Sequence, residues 1–267
     1  MNRTSLPEHE LEILNEAVLG ANRVERFLTK AEPSAEQAEE LDSLVRRRES
    51  GEPLQYLAGT QSFRKMNLAV GPGVLVPRPE TEMVVERCLE LLDGKLDPKV
   101  LDIGTGSGAI ALSLAAERPD CSVWATDISN EALKWARLNA STVRPGNVHL
   151  LEGDLFGPVP TRLKGEIDLV VSNPPYLSAL DMLDAAPDVS VHEPRIALVA
   201  GDTGLEVHHR IVHQAGDWLK TDGRLVLETF EAQWGRLRTL LMTKFADVEI
   251  RPDLAGRLRI AEGRKAQ

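Results

Sequence analysis

The chain has 267 residues, 42% of them hydrophobic and 27% charged, with a formal net charge of −10. These proportions suit one large folded domain, or a large and a small one, and no apolar run approaches the roughly 18 residues a membrane span needs. Lys and Arg are scattered through an acidic chain, which argues against a protein that grips nucleic acid through clustered cations.

Met1 to Glu10 mixes Arg, Pro, His and Glu and has neither signal-peptide nor transit-peptide character, so the expected location is the cytoplasm. Helical spacing follows. Leu11, Leu14 and Val18 share one face, as do Leu41, Leu44 and Val45. Ser34 and Gln37, just after Pro33, have the spacing of a capping box and predict a helix start. Arg46-Arg47-Arg48 read as the solvated last turn of that helix, favoured by its dipole. Over residues 51–79 the short apolar runs are punctuated by Gly51, Pro53, Gly59, Gly71, Pro72, Gly73, Pro77 and Pro79, a strand-and-turn pattern. The expected organisation is a helical unit over 1–58, a hairpin-like linker over 59–79 and a main domain over 80–267.

From residue 80 strands and helices alternate. Lys99–Ile103, Ser122–Thr126, Val148–Leu151, Asp168–Ser172 and Arg224–Glu228 are strand candidates. Gly108–Glu117, Asn130–Ala140 and Gly204–Leu219 are helical, the last with an apolar stripe of Ile211, Val212, Ala215, Trp218 and Leu219. Such alternation implies an α/β fold with a parallel sheet covered on both faces. Cys88, on a probable helix, and Cys121, opening an apolar run, have no metal-type spacing and are expected to stay reduced. His209 and His213 lie one helical turn apart beside His208, but no third ligand motif accompanies them, so they read as surface histidines and no metal is expected.

The strongest local signal is Val100-Leu101-Asp102-Ile103-Gly104-Thr105-Gly106-Ser107-Gly108-Ala109. A strand ends, three glycines follow on alternate positions, and a helix begins. Glycine suits a backbone that must turn tightly and let a ligand approach, and the helix start offers unpaired N–H groups. Asp127 follows Gly106 by 21 positions, at the end of the next strand, where a carboxylate can accept both ribose hydroxyls of an adenosine. Gly104, Gly106 and Ala109 also satisfy the dinucleotide pattern, so the loop alone leaves a nicotinamide cofactor and S-adenosylmethionine both open. Asp102 is placed to orient the loop and to sit near a cationic cofactor. Glu152-Gly153-Asp154-Leu155-Phe156 ends a third strand as an adenine pocket, with Asp154 accepting the amino group and Leu155 or Phe156 against the ring.

The fourth strand runs into Asn173-Pro174-Pro175-Tyr176. Two prolines stiffen the backbone and donate no N–H, which leaves the Asn173 side-chain oxygen and the Pro174 carbonyl as outward acceptors, with the Tyr176 ring beside them. A carboxamide or aromatic amine nitrogen is a poor nucleophile because its lone pair is delocalised. Two acceptors on its two N–H bonds would align it with a methyl donor and stabilise the positive charge that grows on it, while Tyr176 would stack on the planar group.

Taken together, Gly104–Gly108, Asp127 and Asn173–Tyr176 resemble a class I S-adenosylmethionine-dependent methyltransferase acting on glutamine amides or adenine amines. Gly51-Glu52-Pro53-Leu54-Gln55-Tyr56, Val76-Pro77-Arg78-Pro79-Glu80-Thr81-Glu82, His192-Glu193-Pro194-Arg195-Ile196-Ala197-Leu198 and Asp253-Leu254-Ala255-Gly256-Arg257 narrow the likeness to the PrmC (HemK) family of release factor glutamine methyltransferases, from about residue 10 to the end. The resemblance implies a Rossmann-like, mostly parallel seven-stranded sheet, with the small helical unit serving partner recognition. The reaction implied is methyl transfer from S-adenosylmethionine, leaving S-adenosylhomocysteine, to the glutamine of the Gly-Gly-Gln loop in class I peptide-chain release factors, by a monomer that binds no nucleic acid or membrane. By matching position, Gly104, Thr105, Gly106, Ser107, Gly108, Asp127 and Asn173 would contact the cofactor and Leu155 falls near a further family contact, while Asp154 joins them from the adenine-pocket reading. Asn173, Pro174, Pro175 and Tyr176 would hold the glutamine, with Asn173, Pro174 and Tyr176 carrying the chemistry. The helical unit reads as shorter than usual, and Glu228-Thr229-Phe230 stands where the family tends to have a Glu-Ile-Gly type segment. The competing readings are a sister enzyme acting on a ribosomal protein, a nucleic-acid adenine methyltransferase, which would have to flip its base out, and a nicotinamide oxidoreductase or binding module sharing the glycine loop.

Overall fold

The computed structural model describes residues 4–29, 33–184, 186 and 188–266. Four helices open the chain: α1 (Glu8–Leu19), α2 (Arg23–Thr29), α3 (Ala35–Glu49) and α4 (Leu54–Ala58). The two predicted stripes meet, since Leu14 and Leu44 are buried with Leu57 and are flanked by Val18, Leu41 and Val45. The α3 capping box forms, with Gln37 N donating to Ser34 Oγ at 3.2 Å and Ser34 N to Gln37 Oε1 at 3.0 Å. Arg46 and Arg47 of the arginine triplet are exposed, as a solvated last turn should be, while Arg48 is half-buried. Arg48 grips Glu10 of α1 with two hydrogen bonds of 2.7 and 2.9 Å, and Arg47 does the same with Glu52 at 2.8 and 2.6 Å.

Residues 51–79 contain both more and less than the turn-rich pattern indicates. Leu54–Ala58 form α4, closed by Gly59 in the left-handed region. An antiparallel hairpin follows, of β1 (Thr60–Phe63) and β2 (Met66–Ala69). Pro79 then takes the first position of α5 (Pro79–Leu92), where its missing N–H is no loss.

The remaining elements are β3 (Lys99–Ile103), α6 (Ala109–Glu117), β4 (Ser122–Asp127), α7 (Asn130–Val143), β5 (Val148–Glu152), β6 (Ile167–Ser172), β7 (Leu177–Ser178), α8 (Arg195–Leu198), β8 (Val199–Gly201), α9 (Glu206–Trp218), β9 (Leu219–Glu228), α10 (Trp234–Leu241), β10 (Phe245–Pro252) and β11 (Leu258–Lys265). Seven of the strands form one sheet in the order β10-β11-β9-β6-β3-β4-β5. β9, β6, β3, β4 and β5 run parallel, while β11 lies antiparallel between β9 and β10.

Alternate residues of each strand feed two cores, as the period of two requires. Val100, Val123, Leu169, Val171 and Val226 pack against α5 and α6 on one face. Leu101, Ile103, Val170, Leu225 and Leu227 pack against α9 and α10 on the other. Helix α6 is buried continuously from Ala109 to Ala115, because it is enclosed by neighbouring helices as well as by the sheet.

Strand order positions the site. From β3 the chain moves outward to β4 and β5, then returns to the opposite side of β3 as β6. In open parallel sheets the crevice for a ligand lies beyond the carboxyl ends of the strands at such a reversal. The glycine loop follows β3 and the Asn-Pro-Pro-Tyr segment follows β6. Among the described residues, no helix is long and apolar enough to cross a membrane, no group of three His, Cys, Asp or Glu side chains is arranged to hold a metal, and Cys88 and Cys121 are free and buried.

Candidate active site

The loop after β3 is built by backbone hydrogen bonds. Gly104 N and Thr105 N both donate to the Thr126 carbonyl, at 2.8 and 2.9 Å, so the loop hangs from the end of β4. Gly104 has φ 74° and Gly108 φ 86°, left-handed values that glycine adopts without strain. Space adds to the requirement at Gly108, where a Cβ would sit 3.0 Å from Leu112 Cδ1. Asn139 of α7 fastens this loop to the hairpin: its Nδ2 donates to Ser107 O and Ala69 O, each at 3.0 Å, and its Oδ1 accepts from Ala69 N at 2.7 Å.

Beyond the loop lies a cleft of about 330 Å³, within the size range of small-molecule sites. Gly104, Thr105, Gly106, Ser107, Asp127, Asp154, Leu155, Asn173, Pro174 and Pro175 all line it, although they come from four separate strand ends. Gly108 stands just behind, at the N-cap of α6. Each Asp127 oxygen takes one backbone N–H at 2.8 Å: Oδ1 from Ser129 and Oδ2 from Gly106. Burial pushes its carboxyl above the usual aspartate range, while these two bonds hold it down.

Several expectations need correction. Asp102 lies beneath the loop, wholly buried, rather than beside a ligand. Its Oδ2 accepts from Thr105 Oγ1 at 2.6 Å and from Ala111 N at 3.2 Å, so it does orient the loop, and burial pushes its carboxyl up to about 7. Phe156 is turned into the core, stacked on Trp218 with ring centroids 5.8 Å apart, which leaves Leu155, with φ 47°, as the residue at the cleft. Asp154 is paired with Arg210 of α9 at the cleft wall. Tyr176 lies outside the cleft lining, and burial raises its phenol with Glu228, Arg259 and Arg78 as its charged surroundings. His208 is no surface residue: it is wholly buried, its Nε2 is 3.0 Å from Glu228 O, and burial lowers its ring to about 4. His209 and His213 stack at 4.1 Å on the outer face of α9.

The strand ends are tied to one another. Ser172, the last residue of β6, donates to the Ile103 carbonyl at 2.6 Å, immediately before the glycine loop. Asn173 Nδ2 donates to Thr81 Oγ1 at 3.1 Å, and Thr81 Oγ1 donates to Glu228 Oε2 at 2.7 Å. With one of its two amide N–H bonds donated to Thr81, Asn173 turns its nitrogen toward α5 and keeps Oδ1 as an acceptor, and among the described residues neither Oδ1 nor the Pro174 carbonyl takes a hydrogen bond.

The four distinctive segments read from the sequence converge around this point. Arg78 pairs with Glu193, whose Oε1 also accepts from Val76 N at 3.1 Å. Tyr56 donates its hydroxyl to the Val74 carbonyl, bracing the wall formed by Val74, Leu75 and Pro77. The Asp253 turn is closed by Ala255 N and Arg257 N on Asp253 Oδ1, each at 2.9 Å, and Arg259 next to it lies over the Phe230 ring at 5.6 Å. Residue types at 74–77, 194–199 and 207–211 gave no chemical signal for the cleft walls they form. Thr81 and Glu228 lay within segments singled out by resemblance, yet no spacing rule connects them to Asn173.

Comparison with known proteins agrees with this geometry. The family model described as Methyltransferase small domain matches residues 84–191, and that of the PrmC N-terminal domain matches residues 2–59. A release factor glutamine methyltransferase of Deinococcus radiodurans is 41% identical over 263 residues, 97% of this chain and 92% of its relative. That of Streptomyces coelicolor is 41% identical over 227 residues, 84% of this chain and 79% of its relative. Among solved structures, the T. thermophilus 16S rRNA N2 G1207 methyltransferase, in complex with S-adenosylmethionine and guanosine, is similar with a TM-score of 0.58 at 18% identity, over 77% of this chain and 49% of that one, a likeness of fold. Sequence identity over nearly the whole chain, matches to both family models and the class I methyltransferase sheet together establish that the chain belongs to the release factor glutamine methyltransferase family.

Proposed function

We propose that the chain transfers a methyl group from S-adenosylmethionine to the side-chain amide nitrogen of the glutamine in the Gly-Gly-Gln loop of class I peptide-chain release factors. The observation that carries this reading is the polarity of Asn173, whose Nδ2 is turned to Thr81 and donates to it, and whose Oδ1 remains an acceptor at the edge of the cleft. Such an acceptor, with the Pro174 carbonyl beside it, is the complement of a planar nitrogen bearing two N–H bonds. Membership of the family supplies the identity of the nitrogen.

The donor set of the cleft fits S-adenosylmethionine. Asp127 retains lone pairs on both oxygens for two ribose hydroxyls after accepting from Gly106 and Ser129. Leu155 offers an apolar surface for an adenine, and Asp154 a carboxylate for its amino group, now shared with Arg210. Gly104–Gly108 present close-approach backbone at the start of α6. When bound, this cofactor supplies an electrophilic methyl group on a sulfonium and departs as S-adenosylhomocysteine.

The protein's part is positioning and electrostatics. Asn173 Oδ1 and the Pro174 carbonyl accept the two N–H bonds of the glutamine amide, fix its plane and stabilise the positive charge that grows on nitrogen. Orientation of this kind contributes up to about 7–11 kcal/mol in favourable cases. Once the C–N bond has formed, the N-protonated amide is a strong acid and releases its proton to water, so no side chain must act as a base. Tyr176, which follows the two prolines outside the cleft lining and lies near Glu228 and Arg259, is assigned to flank the glutamine. The enzyme acts in the cytoplasm, as a monomer, on a protein partner rather than on nucleic acid.

The test is a competition. The protein is incubated with methyl-labelled cofactor, a class I release factor, ribosomal protein and ribosomal RNA in one mixture. Label confined to the release factor is the expected result; label in either ribosomal component refutes the assignment.

A further inference from the structure

Asn173 poses a problem of direction. The two ends of a carboxamide are nearly the same size, so packing alone does not decide which faces the substrate. An oxygen facing the target accepts its N–H bonds; an NH2 group facing it would set donor against donor. We propose that Thr81 and Glu228 are positioning residues for the reaction: ionised Glu228 takes the single hydroxyl proton of Thr81, which leaves Thr81 Oγ1 to receive Asn173 Nδ2 and so aims Asn173 Oδ1 at the acceptor nitrogen. This rests on the methyl-transfer reading above and assigns to two residues outside the cleft's reacting groups the task of setting its polarity.

The geometry is a directional chain. Thr81 is buried in the first turn of α5, and Glu228 is the last residue of β9, 1% exposed. An ionised carboxylate only accepts, so the 2.7 Å contact from Thr81 Oγ1 to Glu228 Oε2 consumes the one proton that Thr81 has. The 3.1 Å contact to Asn173 must then be donated by Nδ2. If Glu228 is protonated, it can donate to Thr81, Thr81 can donate to Asn173 Oδ1, and the carboxamide is free to turn over.

The groups facing Glu228 are Arg78 and Glu80 from the start of α5, Arg259 from β11 and Tyr176 from the segment after β6. His208 of α9 approaches only the Glu228 peptide oxygen. Burial pushes the Glu228 carboxyl up to about 7, opposed first by the Thr81 hydrogen bond and then by Arg259. Turnover therefore falls as the pH drops through this region, while cofactor binding need not. Asp102 has its carboxyl pushed into the same range, but it holds the glycine loop through Thr105 and Ala111, so its protonation acts on the cofactor side of the site.

The experiment compares the wild type with Thr81→Val, Thr81→Ser and Glu228→Gln. It measures kcat and KM for a release factor from about pH 5 to 9, S-adenosylhomocysteine affinity by calorimetry, and the nitrogen-15 signals of the Asn173 side-chain amide, assigned by their loss in Asn173→Asp. Thr81→Val should lower kcat about tenfold or more with cofactor affinity within about threefold, and Thr81→Ser should restore most of the loss. The acid limb of the wild-type kcat profile should vanish in Glu228→Gln, and the Asn173 amide signals should titrate in the wild type and not in that variant. Wild-type kcat in Thr81→Val, an unchanged acid limb in Glu228→Gln, or Asn173 signals indifferent to Glu228 would overturn the inference. Should Glu228→Gln fail to fold, as shown by loss of cofactor binding, the Thr81 pair decides alone. Should the wild type leave the release factor unmethylated, the assigned substrate is wrong, and the Asn173 titration, which needs no substrate, still decides the positioning claim.

Discussion

The Asn173 carboxamide donates through Nδ2 to the Thr81 hydroxyl at 3.1 Å, joining segments 92 positions apart in the chain. The contact couples the Pro-Arg-Pro-Glu-Thr-Glu start of α5 to the Asn-Pro-Pro-Tyr end of β6. Both segments are therefore parts of one device that presents an acceptor oxygen at the cleft.

Removing that acceptor should separate chemistry from binding. Asn173→Ala is expected to lower the methyl-transfer rate by about 100-fold or more, the scale at which a transition-state hydrogen-bonding group acts. Affinity for S-adenosylhomocysteine should stay within about threefold, because the Asp127 and glycine-loop contacts are untouched. Single-turnover rates and calorimetry on the same preparation check both halves. Retained turnover would remove Asn173 from the mechanism.

Asp127→Ala should do the reverse. A carboxylate that binds hydroxyls contributes about 1.5–3 kcal/mol as a charge-assisted acceptor, so affinity for S-adenosylhomocysteine should fall about 10- to 100-fold. The loss of the Gly106 N contact at 2.8 Å adds to the effect by loosening the loop. Calorimetric titration reads it, and unchanged affinity would take Asp127 out of the ribose role.

The Arg78–Glu193 pair braces the cleft wall, with the Glu193 side chain 1% exposed and that of Arg78 32%. Arg78→Ala strands a buried carboxylate with Val76 N as its remaining partner, and should cost about 3 kcal/mol, the low end for an uncompensated buried charge. Glu193→Gln leaves the guanidinium to water and should cost about 1 kcal/mol. Urea unfolding midpoints at neutral pH test the ordering; equal losses would contradict it.

Stability should also fall as pH rises through neutrality. Asp102 titrates near 3.8 when unfolded, while burial lifts it to about 7 in the folded chain. The folded state thus holds its proton longer, so the contribution is fully present below the unfolded value and is lost as pH climbs through about 7. Asp102→Asn removes this dependence. Its melting temperature relative to wild type should be higher at about pH 8 than at about pH 5. A pH-independent difference would show that Asp102 is ionised in the fold throughout.

Much of this was legible in the sequence wherever one local pattern decides the outcome. Lys99–Ile103 is a strand with the predicted limits, because Val100, Leu101 and Ile103 are buried in a central parallel strand and Gly104 closes it, although Lys99 and Asp102 interrupt the apolar run. The glycine loop, Asp127 and Asn173 likewise fall together because the ends of parallel strands must. The five strands read from apolar runs left out β10 and β11, though the family resemblance implied a sheet of seven. Those two carry buried or half-buried charge. Glu262 lies inside β11 against Arg87, at 2.6 and 2.7 Å, and such pairing hides the period-two pattern. β9 begins at Leu219, earlier than expected, because Lys220-Thr221-Asp222-Gly223 interrupts its apolar run. Leu155 and Phe156 illustrate the same limit at the site. Both are apolar neighbours, and nothing in their residue types tells that Leu155, at positive φ, faces the cleft while Phe156 stacks on Trp218. The roles of Thr81 and Glu228 depend on a contact between residues 147 positions apart, which no spacing in a single sequence reveals.

The most direct test of the central claim is peptide mass spectrometry of a class I release factor after incubation with the protein and deuteromethyl-labelled S-adenosylmethionine. One labelled methyl on the side-chain amide of the Gly-Gly-Gln glutamine is the predicted result, absent with Asn173→Ala. A methyl on any other residue, or an unmodified glutamine under turnover conditions, would contradict it.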